Sequence, residues 1–323
     1  CDSTYRPHSP STTMVNNTAQ QITLALLPKF TSILSFLASS LIIRDVLHNP
    51  EKRSKVYHRT MLALSIVIAL NMIPLFFTTW PMPKDTQGVV WAIGNDASCT
   101  SQGFFIQAFS TAFGYYGFLS LYFCLILRYH WSDRHLLKVE KWAHALIITF
   151  GLLTAILGAV LQLYNPAGMW CWIHPAPGAS DRWVQIYQVA FFYLPLWCSF
   201  AFGGTCMVLT YKEVREIELR SMSHNTAMSC EALSRTKAVA NRAYWYLGTF
   251  LFAYTLATIN RALEWCGNGS PFVLPFLHSM TYTCLGMTNF AVYARPHYVR
   301  LRSDFPNECC LRTLGRLVVE KSG

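Results

Sequence analysis

The chain has 323 residues, of which 53% are hydrophobic and only 13% charged, with a formal net charge of +10. A soluble domain carries about 25% charged residues, so this chain lacks the charge to solvate a globular surface, and an ordinary cytosolic enzyme is excluded. The basic excess calls for either a nucleic acid or a membrane surface, and its placement along the chain decides between them.

A polar tail over 1–21 precedes the first apolar run and is too short to fold as a ligand-binding ectodomain. Crossing a hydrocarbon core takes about 20 helical residues. Runs of that length occur at 22–43, 60–80, 99–127, 142–164, 183–211, 243–263 and 271–294. Each is interrupted by Ser, Thr, Asn, Gln, Tyr, Gly or Pro, residues that pack better against other helices than against lipid. They predict an all-α membrane protein in which 22–294 forms one seven-transmembrane bundle. The segments 44–59, 128–141, 212–242 and 295–323 hold 21 of the 26 Lys and Arg residues. Positive charge is retained on the cytoplasmic side, so the N-terminus is expected outside and the C-terminus inside, as an odd number of spans requires. The charge then needs no nucleic acid, and the basic rim meets anionic membrane lipid. Within 212–242, the stretch Tyr211 to Arg220 continues the fifth helix and the Ser-rich stretch 221–234 reads as a flexible segment. In the cytoplasmic tail, 295–323, Pro296 to Arg316 reads as a short interfacial helix.

Covalent signals follow the same topology. Asn16 and Asn268 stand in glycosylation acceptors on the expected outer side. Cys99, at the start of the third run, and Cys171, after the fourth, both lie on the oxidising side, where a bridge would pin that loop over the bundle mouth. Cys266 could pair with Cys1. Cys309 and Cys310 follow a basic amphipathic stretch, a setting for acylation or for ordinary reduced thiols. The chain opens on Cys1 rather than Met, so it is either a fragment or uses its first run as the insertion signal.

Catalytic and cofactor chemistry finds no residues to carry it. A retinal Schiff base needs a lysine in the seventh run, and none lies between Pro271 and Ala294. Only His144 and His278 fall within runs, on separate helices and with no acidic companion, so neither metal nor haem ligation is expected. Phosphate loops, nucleophile elbows and aspartyl dyads are missing. A transporter or channel remains the alternative reading, but its usual intramembrane acids and paired broken helices do not occur within the runs.

Particular residues narrow the reading. The stretches Tyr57-His58-Arg59-Thr60-Met61-Leu62-Ala63-Leu64-Ser65, Thr79-Trp80-Pro81-Met82-Pro83 and Gly94-Asn95-Asp96-Ala97-Ser98-Cys99-Thr100-Ser101-Gln102-Gly103-Phe104-Phe105 resemble the cyclic-AMP-receptor-like group of G-protein-coupled receptors. They come closest to unassigned receptor-like proteins of unicellular algae. Trp170-Cys171-Trp172-Ile173 and Gly286-Met287-Thr288-Asn289-Phe290-Ala291-Val292-Tyr293 are similar to that group and to secretin-like receptors alike. The resemblance runs from about Ala25 to Tyr298. It implies a multi-pass plasma-membrane receptor, not an enzyme, that senses an extracellular ligand and signals to a heterotrimeric G protein, with a link to cAMP signalling. A receptor-like protein without G-protein coupling is the remaining alternative.

Several positions depart from receptor patterns. No acid precedes Arg128, so the rhodopsin-type ionic lock is expected to be absent. The sixth run has no proline, Phe290 stands where the rhodopsin-like group has one, and Ile68 stands where relatives commonly have an acid. Polar or aromatic residues in the outer halves of the runs are the candidate ligand contacts: Gln107, Ser110, Thr111, Tyr187, Gln188, Asn260, Arg261, His278 and Tyr282. Arg261 and Glu264, three apart, could pair; left unpaired, Arg261 would join Lys29 in attracting an anion. Arg128, Tyr129, Asn289 and Tyr293 are the candidate coupling and switch residues.

Overall fold

The computed structural model describes residues 18–176, 181–224, 227–266 and 270–305. The first span is α1 (Thr18–His48), and a single turn, α2 (Pro50–Ser54), leads to α3 (Val56–Phe77). Asn49 starts α2 by accepting from the amides of Glu51 and Lys52, with Pro50 filling the first helical position. The third span is built from α4 (Asp96–Phe109) and α5 (Ala112–Leu127), which break at Ser110 and Thr111. A reciprocal cap between Asn95 and Ser98 opens α4. The fourth span is α6 (Asp133–Val160), followed by a short antiparallel hairpin of β1 (Tyr164–Pro166) and β2 (Cys171–Ile173), with Tyr164 opposite Ile173.

The fifth span joins α7 (Asp181–Gln188) to α8 (Leu194–His224) through a π-helical turn, Val189–Tyr193. The sixth is α9 (Ala227–Trp265), and the seventh is α10 (Val273–Thr283) and α11 (Leu285–Asp304), broken at Cys284. Five of these spans are long and apolar enough to cross a membrane on composition alone: α1, α3, α4–α5, α6, and the fifth from Arg182 to Leu219. The other two complete the seven but carry a weaker hydropathy signal. α9 fills its inward face with the buried rings of Tyr246, Phe250 and Tyr254, and α11 runs on into Arg295, Arg300, Arg302 and Asp304.

Burial sorts the helices. α5 is the axis of the bundle, with Tyr115, Tyr116 and Leu119 almost fully enclosed, whereas α6 leaves Trp142, Leu146 and Val160 more than 70% exposed. A helix apolar on its outer face is solvated by lipid, not water. α1 and α11 approach closely at Gly286, where a Cβ would strike the Ser35 carbonyl and the Ser39 hydroxyl. The Gly286 amide there donates to Ser35 Oγ at 2.7 Å.

The fourth helix starts at Asp133 and ends at Val160, so it reaches into a segment read as loop and leaves Tyr164 to the hairpin. The Ser-rich stretch read as flexible is helical over 221–224 and 227–234. The expected separate interfacial helix is not formed over 296–304, because α11 continues through Pro296 as far as Asp304.

Candidate functional site

The end of the bundle that carries the disulfide is closed by the hairpin. Cys99 and Cys171 are bonded, and Trp170, Cys171, Trp172 and Ile173 are all buried. Three glutamines hold β2, one at each residue. Gln102 Oε1 accepts from the Cys171 amide at 2.8 Å, while its Nε2 donates to the carbonyls of Pro74 and Thr78 at 2.9 and 2.8 Å. Those carbonyls are at the frayed end of α3, where Thr78 takes a φ of 46°. Gln107 Oε1 accepts from Trp172 Nε1 at 3.0 Å, and its Nε2 donates to Thr154 Oγ1 at 3.1 Å and to the Phe191 carbonyl at 3.2 Å. Gln188 Nε2 donates to the Ile173 carbonyl at 2.6 Å, and its Oε1 accepts from Trp265 Nε1 at 2.7 Å. β1 is seated by Tyr164, whose ring lies where a Cβ at Gly103 or Gly158 would otherwise be, and whose hydroxyl donates to the Ala155 carbonyl at 3.0 Å.

Beneath the hairpin lies a polar and aromatic cluster. Trp170 stands 5.7 Å from the His278 ring and 6.1 Å from Tyr282, and Tyr282 is 5.7 Å from Tyr254. The Tyr282 hydroxyl accepts from Asn71 Nδ2 at 2.9 Å. Arg261 lies 5.6 Å over Trp172 and donates to Glu264 Oε2, while Asn260 Nδ2 donates to Glu264 Oε1 at 3.0 Å. Of the two alternatives read from the spacing, the structure takes the ion pair. Arg261 is held by Glu264, and Lys29 donates to the Phe76 and Phe77 carbonyls at 3.1 Å each, with its ammonium 3.5 Å from the Trp80 ring.

Of the residues predicted to meet a ligand, Asn260, Arg261, His278 and Tyr282 share this cluster. Gln107 and Gln188 instead brace the hairpin. Ser110 Oγ donates back to the Ile106 carbonyl at 2.6 Å beside the helix break, Thr111 is buried at that same break, and Tyr187 packs on Phe191.

The opposite end, which carries the basic segments, is tied by charge. Arg128 Nη1 donates to Glu213 Oε2 at 2.6 Å and joins α5 to α8. No acid adjoins the arginine in sequence, and the acid that pairs with it comes from another helix. Arg59 grips Glu140 at 2.8 and 2.6 Å and joins α3 to α6. Asp45 accepts from the Tyr293 hydroxyl and from Lys52, each at 2.7 Å, and Tyr57 and Tyr246 share a hydrogen bond at 3.1 Å. Asn289 Nδ2 reaches Ser65 Oγ at 3.5 Å, while Tyr129 is exposed. Sequence reasoning missed Glu140 and Glu213, which lie just outside the apolar runs, and it quoted Gln102 and Arg59 only as part of motifs. Asn16, Asn268, Cys1, Cys309 and Cys310 lie outside the described residues.

A family profile described as slime mold cyclic AMP receptor matches residues 71–301. The chain belongs to this family of receptors. The cyclic AMP receptor family comprises G-protein-coupled-receptor-like membrane proteins rather than enzymes, so the bundle is that of a multi-pass receptor. No curated protein sequence matches the chain. The fold is similar to that in a crystal structure of squid rhodopsin, with a TM-score of 0.63 over 94% of this chain and 91% of that one, at 13% identity. Within the receptor family match fall the Gln102 clasp, the hairpin, Arg128 and the whole cluster around His278.

Proposed function

We propose that this receptor resides in the plasma membrane with its N-terminus outside, binds an extracellular ligand beneath the hairpin, and signals to a heterotrimeric G protein from its basic end, in a pathway linked to cyclic AMP. The observation that carries the reading is the Arg128–Glu213 pair. It closes the basic end between the third and fifth spans, and the third span also carries Gln107 under the hairpin. A ligand acts only through a difference in affinity between two bundle shapes. Here the two shapes are the one with the pair made and the one with it opened. Asn260, Arg261, His278 and Tyr282 supply the ligand contacts, with Gln107, Ser110, Thr111, Tyr187 and Gln188 positioning them. Arg128, Tyr129, Asn289 and Tyr293 couple to the partner, and the helical extension of α8 offers a surface for its terminal helix.

Recruitment of engineered G-protein α-subunits to the receptor in living cells tests this. Glu213→Gln frees an arginine whose side chain is already 45% exposed, so the variant folds, and its ligand-independent recruitment rises severalfold. Adding Arg128→Ala to that variant brings recruitment to background without stranding a buried acid. Failure of every α-subunit subtype to respond to any of these chains at normal surface expression contradicts the proposal.

A further inference from the structure

α6 carries its charges on two sides. With about 100° between successive residues, Arg134, Lys138, Lys141 and Trp142 fall within an arc of about 100°, and all four are exposed. Leu136, Glu140 and Ile147 are buried on the opposite side, where Glu140 holds Arg59 of α3. Asp133, the other acid of the helix, is also off the arc and near enough to Arg59 to add to the field there. The arc itself holds three bases and no acid.

That arc is the side α6 shows to lipid. Of the five spans apolar by composition, α6 buries the least of itself, and along or beside the arc Trp142, Leu146 and Val160 are 78%, 72% and 72% exposed. No Asp, Glu, Lys or Arg occurs between Trp142 and Tyr164. The hydrocarbon therefore begins at Trp142, and an exposed tryptophan at that point is seated at the headgroup level.

Depth sets these bases apart from a general basic rim. At 1.5 Å per residue, Lys141, Lys138 and Arg134 stand about 1.5, 6 and 12 Å beyond Trp142 along the helix. The headgroup layer is about 5–7 Å thick on each side of the hydrocarbon. Lys141 thus lies at the level of the lipid phosphodiester, Lys138 at the outer edge of the layer, and Arg134 outside it. A headgroup charged only at that level reaches the first two bases. One that stands out from the layer and carries further phosphates reaches all three, and a phosphomonoester brings a larger charge and three acceptor oxygens to them.

We infer that the Arg134–Lys138–Lys141 face of α6 binds a membrane phospholipid whose headgroup carries phosphomonoesters, with Trp142 setting its depth. The site belongs to the basic end of the bundle and stands apart from the ligand and G-protein reading, whichever way the chain is inserted.

Native mass spectrometry of the full chain tests it. The chain is purified in detergent and mixed with equimolar phosphatidylserine, phosphatidylinositol and phosphatidylinositol bisphosphate, and the retained lipid is counted. The bisphosphate is retained at least about tenfold more than either of the others. Arg134→Gln, Lys138→Gln and Lys141→Gln together change only exposed side chains, so the variant folds, and the preference is lost. Lys138→Gln alone, at the middle base, lowers it severalfold. A control with Lys212→Gln, Arg215→Gln and Arg300→Gln removes the same charge from other exposed positions of the basic end and keeps the preference. Equal retention of the three lipids by the native chain overturns the inference. So does a preference that survives in the first variant, or one lost equally from the control, which would assign it to the basic rim as a whole. Retention of soluble inositol trisphosphate as strong as that of the lipid also overturns it, since the face would then read free phosphate and not a lipid.

Discussion

Glu140 and Glu213 are buried to the same degree, about 5% and 6% exposed, yet their arginine partners differ in a way that predicts different behaviour. Arg59 is mostly enclosed and holds Glu140 with two bonds, whereas Arg128 is nearly half exposed. Removing Arg59 leaves Glu140, among the described residues, with His144 at 3.6 Å, and a stranded buried charge costs about 3–5 kcal/mol. Arg59→Ala should therefore lower the thermal midpoint in detergent markedly, and Arg59→Met combined with Glu140→Leu should recover most of the loss. A midpoint unchanged by the single variant would mean that the pair contributes nothing. These acids were not legible in the sequence for a simple reason. An acid at the end of an apolar run looks solvated in a one-dimensional reading, and only the register of α6 and α8 shows that each faces a neighbouring helix.

The hairpin is the element on which the site depends. Its Cys-x-x-Gln-Gly partner on α4 was recognisable in the sequence, and so was the disulfide. The strands themselves were not: with three residues each and no alternation, they fell partly inside an apolar run and partly in a loop. The breaks at Ser110 and Cys284 were equally invisible, since neither is at a proline and hydropathy does not register them, whereas the π turn lies just before Pro195, which cannot donate to the Phe191 carbonyl that Gln107 takes instead. Gln102 makes three hydrogen bonds to backbone, each contributing about 1 kcal/mol. Gln102→Leu should accordingly cost roughly 2–3 kcal/mol and raise hydrogen exchange at Cys171 and Thr78 together. Exchange rising at only one of them would show that the glutamine does not link α3 to the hairpin. Cys99→Ser and Cys171→Ser should each depress surface expression to a similar extent; normal trafficking of both would count against a structural role for the bridge.

At the scale of the whole molecule, the low charge fraction becomes a distribution. Most basic residues gather at one end, the disulfide and hairpin close the other, and Asp45, Glu140, Glu213 and Glu264 each meet an arginine or lysine near an end of the bundle. The orientation proposed above, N-terminus outside, rests on that distribution. An epitope inserted within residues 1–17 should be accessible to antibody on intact cells, and one at the C-terminus only after permeabilisation; the reverse pattern would invert the assignment of both sites. With that orientation, ligand chemistry at the hairpin end and the Arg128–Glu213 pair at the other are two ends of one third span, and coupling between them is the central claim. The most direct measurement is guanine-nucleotide exchange on a purified heterotrimer by the receptor in lipid nanodiscs. Exchange above that of empty nanodiscs, faster with Glu213→Gln and lost when Arg128→Ala is added, is the predicted result; rates equal to empty nanodiscs for all three chains, across the G-protein subtypes, would contradict it.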